Sequence, residues 1–408
     1  MRGVIRAGDA VLVLNAGSSS IKFELFEVAA AGDPISRLVG QVEGIGAAAP
    51  RFTARGADGA VLADRRWSAE DGEGGAPVDH AAALGVIVAW LDGLPAPRLP
   101  IVAVGHRVVH GGPDFAVPVV VDAAVLARLR SLSSLAPLHQ PHNLAGIEAA
   151  AARFPDVPQI ACFDTAFHRS HSWEADTFAL PPEFHARGIR RYGFHGLSYE
   201  YIARRIARED PALGQGRLVV AHLGNGASLC AIHAGRSVES TMGFTALDGL
   251  PMGTRCGQID PGVLLHLIEA EGWDTARLAH LLYHDSGLKG MSGLSQDVRV
   301  LEASDRPEAA QALSYFCWRT RREIGALAAV LGGLDALVFT AGIGENAAGL
   351  RARICEGLEF LGVVLDPARN AAHGPEISVP GARTRVLVIP TDEERMIAEH
   401  VTELLGVG

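Results

Sequence analysis

Apolar and polar positions along this chain follow two rhythms, and each marks a different element. Val11-Leu12-Val13-Leu14 is an unbroken apolar run, whereas Ile21-Lys22-Phe23-Glu24-Leu25-Phe26 alternates apolar with charged. A short continuous run reads as a strand buried on both faces, and alternation reads as a strand with one wet face. Residues 11–28 therefore predict a hairpin. Residues 218–231 predict a second, with Asn225-Gly226 at its turn, a favoured hairpin dipeptide. Runs at 101–104, 158–163, 337–339 and 386–389 predict further strands, the first running into Gly105-His106-Arg107. Helical spacing appears at 81–91, 122–132, 143–154, 261–270, 308–331 and 393–405, the second opened by an Asp cap. Residues 30–78, rich in Gly, Ala and Asp, read as irregular strands and loops. Both halves begin with a hairpin and then alternate strand with helix. That predicts a duplicated α/β unit with a cleft between the copies.

Three apolar runs stop at glycine-rich segments: Asn15-Ala16-Gly17-Ser18-Ser19-Ser20, His222-Leu223-Gly224-Asn225-Gly226 and Thr340-Ala341-Gly342-Ile343-Gly344-Glu345-Asn346. The last is followed by a helical pattern over 347–361. Backbone N–H groups at a strand–loop–helix junction favour an anion such as phosphate. Lys22 adds a point charge close to the first segment. Gly342 to Ala347 also fits G-x-G-x-x-A, with Asp366 lying 22 residues beyond Gly344, where a ribose-binding acid would stand. A dinucleotide and a nucleotide phosphate both fit this segment. No G-x-x-x-x-G-K-[ST] and no G-x-S-x-G occurs, which excludes a P-loop and a nucleophile elbow.

Arg107 and Arg255 each lie in a Gly-flanked segment, Gly105-His106-Arg107-Val108-Val109-His110-Gly111-Gly112 and Met252-Gly253-Thr254-Arg255-Cys256-Gly257. Guanidinium groups held this way suit bidentate capture of carboxylate or phosphate. Asp164 and Glu393 each follow a predicted strand end, where a carboxylate can meet a cation or substrate. His195 sits in a Gly-flanked loop, Tyr192-Gly193-Phe194-His195-Gly196. His106, His110, His139 and His142 raise the question of zinc, but no His-Glu-x-x-His pattern is present, and core or substrate-facing roles fit them better.

Bulk composition narrows the class. The 408 residues suffice for two or three domains, and 48% are hydrophobic. A net charge of −10, from 36 basic and 46 acidic residues, argues against non-specific nucleic-acid binding. The five cysteines are scattered and odd in number, which reads as reduced thiols in a cytoplasm. The N-terminus lacks a signal-peptide pattern, and the longest apolar stretch, residues 81–90, is too short to span a bilayer. No nucleic-acid partner and no membrane are expected.

With these segments in hand, the chain resembles the acetate kinase family over essentially its whole length. The segments quoted above carry the resemblance, with Phe163-Asp164-Thr165-Ala166-Phe167-His168 and Pro390-Thr391-Asp392-Glu393-Glu394. It implies two ribonuclease-H-like α/β domains of the acetate and sugar kinase, Hsp70 and actin type, hinged over a central cleft. Their expected bounds are 10–164, completed by 394–408, and 165–393. It also implies a homodimer and the reversible reaction of ATP with acetate to give ADP and acetyl phosphate. The implied metal is Mg2+, with Mn2+ as an alternative, held at Asn15 and Glu393. Lys22, His222, Leu223, Gly224, Asn225, Gly226, Asp297, Val298, Arg299, Gly342, Ile343, Gly344, Glu345 and Asn346 would line the nucleotide. Arg107, Val109, Leu138 and Phe194 would hold acetate. His195 and Arg255 would stabilise the phosphoryl group in flight, with Asp164 completing the centre.

The chain departs from the family in three places. Gly196-Leu197-Ser198-Tyr199 stands where Gly-Thr-Ser-His is common. Ala246 replaces a frequent Pro at the methyl pocket, which leaves propionate open as an acceptor, since one methylene is worth only about 1–3 kcal/mol. Gln258 replaces a usual Asp. The rival classes are an NAD-dependent oxidoreductase, resting on Gly342 to Ala347 with Asp366, and a non-catalytic ATP-binding module. The first leaves the N-terminal Ser loop and both Arg segments unexplained; the second gives no reason for Arg107 or His195.

Overall fold

The structure, a computed structural model, describes residues 5–68, 76–95, 99–137 and 139–407. The chain divides into two compact units: Met1–Ala166 with Asp392–Gly408, and Phe167–Thr391.

The first unit is built on an eight-stranded sheet. Its strands are β1 (Ala10–Ala16), β2 (Ser20–Val28), β3 (Pro34–Glu43), β4 (Arg51–Gly56), β5 (Val61–Arg66), β6 (Ile101–Val108), β7 (Val119–Val120) and β8 (Gln159–Phe163), in the order β5-β4-β3-β2-β1-β6-β8-β7. β1 to β5 form an antiparallel meander, then β6 joins β1 and β8 joins β6 in parallel. One face packs Leu12, Leu14 and Phe23 against Leu84, Ile87 and Val88 of the helix His80–Asp92. The helix Glu393–Leu405 packs on β1 and β6. Gly105 permits its approach: a Cβ there would stand 2.6 Å from Ile397 Cγ2 and 3.0 Å from Val401 Cγ2.

The second unit has strands β9 (Arg217–Leu223), β10 (Ala227–His233), β11 (Arg236–Ser240), β12 (Ala336–Thr340) and β13 (Arg385–Val388), ordered β11-β10-β9-β12-β13. The first three pair antiparallel; β12 joins β9 and β13 joins β12 in parallel. This is the layout of β3-β2-β1-β6-β8, so the expected duplication and its ribonuclease-H-like architecture are found. The long helix Pro307–Leu331 crosses β9 and β10 and stops at Gly332, which takes φ 69° as its left-handed cap.

Three sequence expectations need correction. Residues 30–78 hold the regular strands β3, β4 and β5 rather than irregular ones. Their outer positions are exposed, β5 almost throughout, so polar residues occupy both faces and the alternation fades. The strand at 101–104 continues to Val108, so Arg107 lies on β6. The glycines Gly342 and Gly344 are helical: the helix Ala341–Asn346 starts directly at the end of β12, and a second, Ala348–Cys355, follows. Gly344 packs against the backbone of Phe339 and Ala221, and that tertiary contact overrides the weak helix propensity of glycine.

Candidate active site

In the first unit, β1, β6 and β8 carry Asn15, Arg107 and Asp164 to neighbouring strand ends. Asp164 directly follows β8, and its backbone N–H bonds to the Val108 carbonyl. Arg107 donates to Asp164 through Nε at 3.0 Å and Nη2 at 2.5 Å, a bidentate fork. Its Nε also lies 3.4 Å from Glu393 Oε2, at the first position of the helix Glu393–Leu405. Nη1 reaches Asn15 Oδ1 at 3.4 Å, and Asn15 Nδ2 donates to Glu394 Oε1 at 3.4 Å. Asp164 is 1% exposed, whereas Arg107 keeps 21% of its side chain open. Burial lifts the Asp164 carboxyl above the ordinary range, Arg107 opposes the lift and Glu393 adds to it. Burial disfavours the Arg107 charge, but Asp164 and Glu393 outweigh it and hold the guanidinium above its usual value.

Lys22 lies directly across from Asn15 in the β1–β2 register and is exposed. Two residues along, Glu24 brings a carboxylate within 4.8 Å of those of Asp392 and Glu394. Burial pushes Glu24 up to about 7, with added repulsion from Asp392 and Glu394. This acidic trio was not singled out in the sequence, although the alternation of β2 places Lys22 and Glu24 on one face. Val109 is buried beside the group, its N–H bonded to Asn143 Oδ1 at 3.0 Å. Leu138 lies outside the described residues.

In the second unit the β9–β10 connection is the focus. Leu223 pairs with Ala227, so the loop is Gly224-Asn225-Gly226, closed by Gly224 N–H to Gly226 O at 3.0 Å. The expected two-residue Asn-Gly turn needs positive φ at both residues, and neither Asn225 nor Gly226 has it. Gly226 answers a different demand. A Cβ there would stand 3.1 Å from Arg255 Nη2 and 3.3 Å from His195 Nε2. The guanidinium and the imidazole thus converge on this loop.

Arg255 donates through Nη1 to Ala246 O at 2.8 Å. Burial lowers its pKa, and no carboxylate among the described residues forms an ion pair with it. A half-buried, uncompensated guanidinium is poised for an external anion. His195 adopts φ 58°, a left-handed conformation rare outside glycine, at the start of the helix Gly196–Glu209. Its ring stacks on that of His222, with centroids 4.1 Å apart. Phe194 is buried, and its carbonyl accepts from His168 Nε2 at 2.9 Å.

A cavity of about 480 Å3 opens beside the same loop. Gly224, Asn225, Asp297, Val298, Arg299, Gly342, Ile343 and Asn346 line it, with Ala347 at the end of the G-x-G-x-x-A segment and with Gln296 and Glu302, which the sequence reading missed. Those two lie one and three residues from motif positions, and only the fold turns them inward. Asp297 caps the helix Val298–Glu302, and the Arg299 guanidinium donates to its carboxylate at 3.0 and 2.6 Å. Leu223 and Gly344 are buried in the β9–β12 layer, and His222 lies under His195. Glu345 turns aside, accepting from Thr391 N–H at 3.3 Å.

Asp366 does not stand at a strand end as a ribose-binding acid should. It caps the short helix Pro367–Ala371, accepting from Ala368 and Arg369 N–H. With Gly342 and Gly344 helical as well, the dinucleotide fingerprint fails on both counts. The histidines His106 and His110 are core residues, His106 bonding Gln159 at 2.8 Å, and among the described residues no cluster with metal-ligand spacing contains a histidine. Gln258 Oε1 accepts from Arg319 and Arg322 at 3.0 and 2.6 Å, and nothing in the structure explains an amide there in place of Asp.

Comparison with known proteins follows the same lines. The model of the acetokinase family matches residues 10–399. The acetate kinase of Nitrobacter hamburgensis is 54% identical over 398 residues, 97% of this chain and 96% of that one. The solved acetate kinase of Porphyromonas gingivalis superposes with a TM-score of 0.86 at 37% identity, covering 98% of this chain and all of that one. A propionate kinase from Francisella tularensis also gives 0.86, at 34% identity over 96% of this chain and 98% of its own. The likeness runs through both units and every glycine-rich segment around which the two residue sets are built: the chain belongs to the acetokinase family.

Proposed function

We propose that this chain is an acetate kinase, transferring the terminal phosphoryl group of ATP reversibly and directly to acetate. The observation that carries this reading is Arg255. Its uncompensated guanidinium meets His195 at Gly226, and the other two residues of that loop line the cavity. Cation, imidazole donor and nucleotide-sized space share one hairpin end. The family relatives, named acetate kinases, support the acceptor.

The chemistry asks for little beyond charge and position. Acetate, with a pKa near that of Glu, about 4.3, is already ionised at pH 7. No base is needed to create the nucleophile. Repulsion between two anions is the obstacle, so electrostatic stabilisation and alignment dominate. In this reading Arg107, held rigid by Asp164, receives the acetate carboxylate. Arg255 and His195 bind the equatorial oxygens of the phosphoryl group in an in-line transfer. The cavity residues and Lys22 bind the nucleotide.

Asn15 Oδ1 and the Glu393 carboxylate are hard oxygen donors next to one guanidinium, a set that suits Mg2+, which keeps most of its waters. Mn2+ takes the same donors. The ion would neutralise charge on the nucleotide phosphates.

A cytoplasmic setting fits five cysteines that form no disulfide, four of them buried. Among the described residues no helix is long and apolar enough to cross a membrane. We also propose a homodimer through the helix Pro261–Glu269, which buries none of its residues and exposes Val263, Leu265 and Ile268. Glutamate at those three positions should convert a dimer to monomer in light scattering.

The direct test is a hydroxamate assay for acyl phosphate with Mg-ATP and acetate, propionate or butyrate. Acetate should give the highest kcat/KM. Nucleotide binding without acyl phosphate from any of the three would overturn the assignment.

A further inference from the structure

His195 and His222 lie face to face, 4.1 Å between centroids and 14° between planes. Two imidazolium cations at that separation repel, so the pair favours at least one neutral ring. Each ring points its Nδ1 at a buried hydroxyl. His222 Nδ1 meets Ser198 Oγ at 2.9 Å, and Ser198 Oγ meets Thr391 Oγ1 at 2.7 Å. His195 Nδ1 meets Ser228 Oγ at 2.8 Å, and Ser228 Oγ meets the Tyr199 phenol at 2.5 Å. Ser198, Ser228 and Tyr199 are fully buried. Ser198 and Tyr199 are consecutive residues in the first turn of the helix that His195 opens.

Proton bookkeeping gives the second relay a direction. A neutral imidazole has one N–H, and a serine hydroxyl has one proton. For His195 Nε2 to donate beside Arg255, its Nδ1 must be an acceptor. Ser228 then gives its proton to Nδ1, and its oxygen is left to receive one from the phenol of Tyr199. In the reverse order Nδ1 carries the proton, and the bare Nε2 lone pair faces the anion. We propose that Tyr199 is a positioning residue which, through Ser228, holds neutral His195 as the Nε2–H tautomer, so that it donates to the phosphoryl oxygens without a second cation in the stacked pair. This rests on the role given to His195 above, and it assigns a function to a residue at which the chain departs from the family pattern.

The test pairs kinetics with a readout that needs no turnover. Tyr199→Phe, Ser228→Ala and the double variant are assayed from pH 5.5 to 8.5 with Mg-ATP and acetate, using the full chain. Tyr199→Phe should lower kcat roughly tenfold at pH 8, the worth of one hydrogen bond in the transition state, with both KM values within about twofold. Below the ordinary imidazole pKa of about 6.5 the deficit should shrink, because a cationic ring donates from Nε2 whatever the relay does. The double variant should lose no more than the worse single one. In parallel, 15N spectra of [15N]histidine-labelled protein, assigned with His195→Asn, should show the Nε2–H form in the parent and a mixture in Tyr199→Phe. An Nδ1–H ring in the parent, or a deficit constant across pH, overturns the proposal. If the parent shows no acyl phosphate, the kinase reading fails, yet the tautomer is still decided by the spectra. If Tyr199→Phe does not fold, Ser228→Ala and the parent spectrum decide the matter.

Discussion

Asp164 accepts two parallel hydrogen bonds from Arg107, at 3.0 and 2.5 Å, and is all but sealed from solvent. A carboxylate committed to a guanidinium fork has both oxygens occupied and fixes the direction of the cation. It is placed to orient Arg107 rather than to take a proton. Asp164→Asn should lower kcat by about 100-fold and raise the KM for acetate, with the shape of the pH profile from 6 to 8.5 unchanged. A new pH-dependent limb near neutrality would speak for a base.

Replacing Arg255 separates transition-state from ground-state binding. Arg255→Ala should reduce kcat by roughly 100- to 1,000-fold, the usual loss on removing one such donor, with ATP affinity by calorimetry nearly unchanged. A loss seen only in nucleotide affinity would contradict the role assigned to it.

Gly226 offers a probe that replaces neither functional side chain. Its φ is not positive, so alanine meets no backbone strain, but the new Cβ would press Arg255 and His195 apart by a few tenths of an ångström. Gly226→Ala should lose kcat tenfold or more by order of magnitude while Tm moves by only about 1–2 °C. Equal activity would mean that the two groups need not converge.

Glu24 gives a pH signature. Its carboxyl is raised from 4.5 to about 7, chiefly by burial. A folded-state pKa above the unfolded value means that the folded chain holds the proton more tightly. Stability from this group is therefore present below pH 4.5 and lost as pH rises through 7. Glu24→Gln should be more stable than the parent by roughly 1–2 kcal/mol at pH 8, after allowance for solvent screening, and equal to it at pH 4. Thermal melts at both pH values, without divalent metal, measure the difference.

Much of the architecture could be read from hydrophobic rhythm because the central strands are buried on both faces and the packed helices on one. β1, β9 and β12 announced themselves as apolar runs. The meander β3 to β5 did not: its core positions, Val42, Phe52 and Ala54, are few and set among Gly and charged residues, and the edge strand β5 is exposed almost throughout. The individual site residues were legible as Gly-flanked polar positions, yet their pairings were not. Nothing in the sequence says that Arg107 takes Asp164 as its partner, 57 residues away, or that Asn225-Gly226 is there for side-chain clearance. Glu302 and Gln296 carry no local signal, since they acquire meaning only where the helix Val298–Glu302 and the residues just before it meet the cavity.

The helix Glu393–Leu405 covers a sheet whose first strand is Ala10–Ala16, and all of Phe167–Thr391 intervenes. On the ribosome, the half that is begun first thus lacks one of its coverings until the other half has been made. The apolar side chain of Val13, on the side of the sheet that Gly105 shares with Ile397 and Val401, must await the arrival of that helix. Nascent chains of this protein should need shielding of the first half until synthesis of the second is complete and the helix Glu393–Leu405 has emerged.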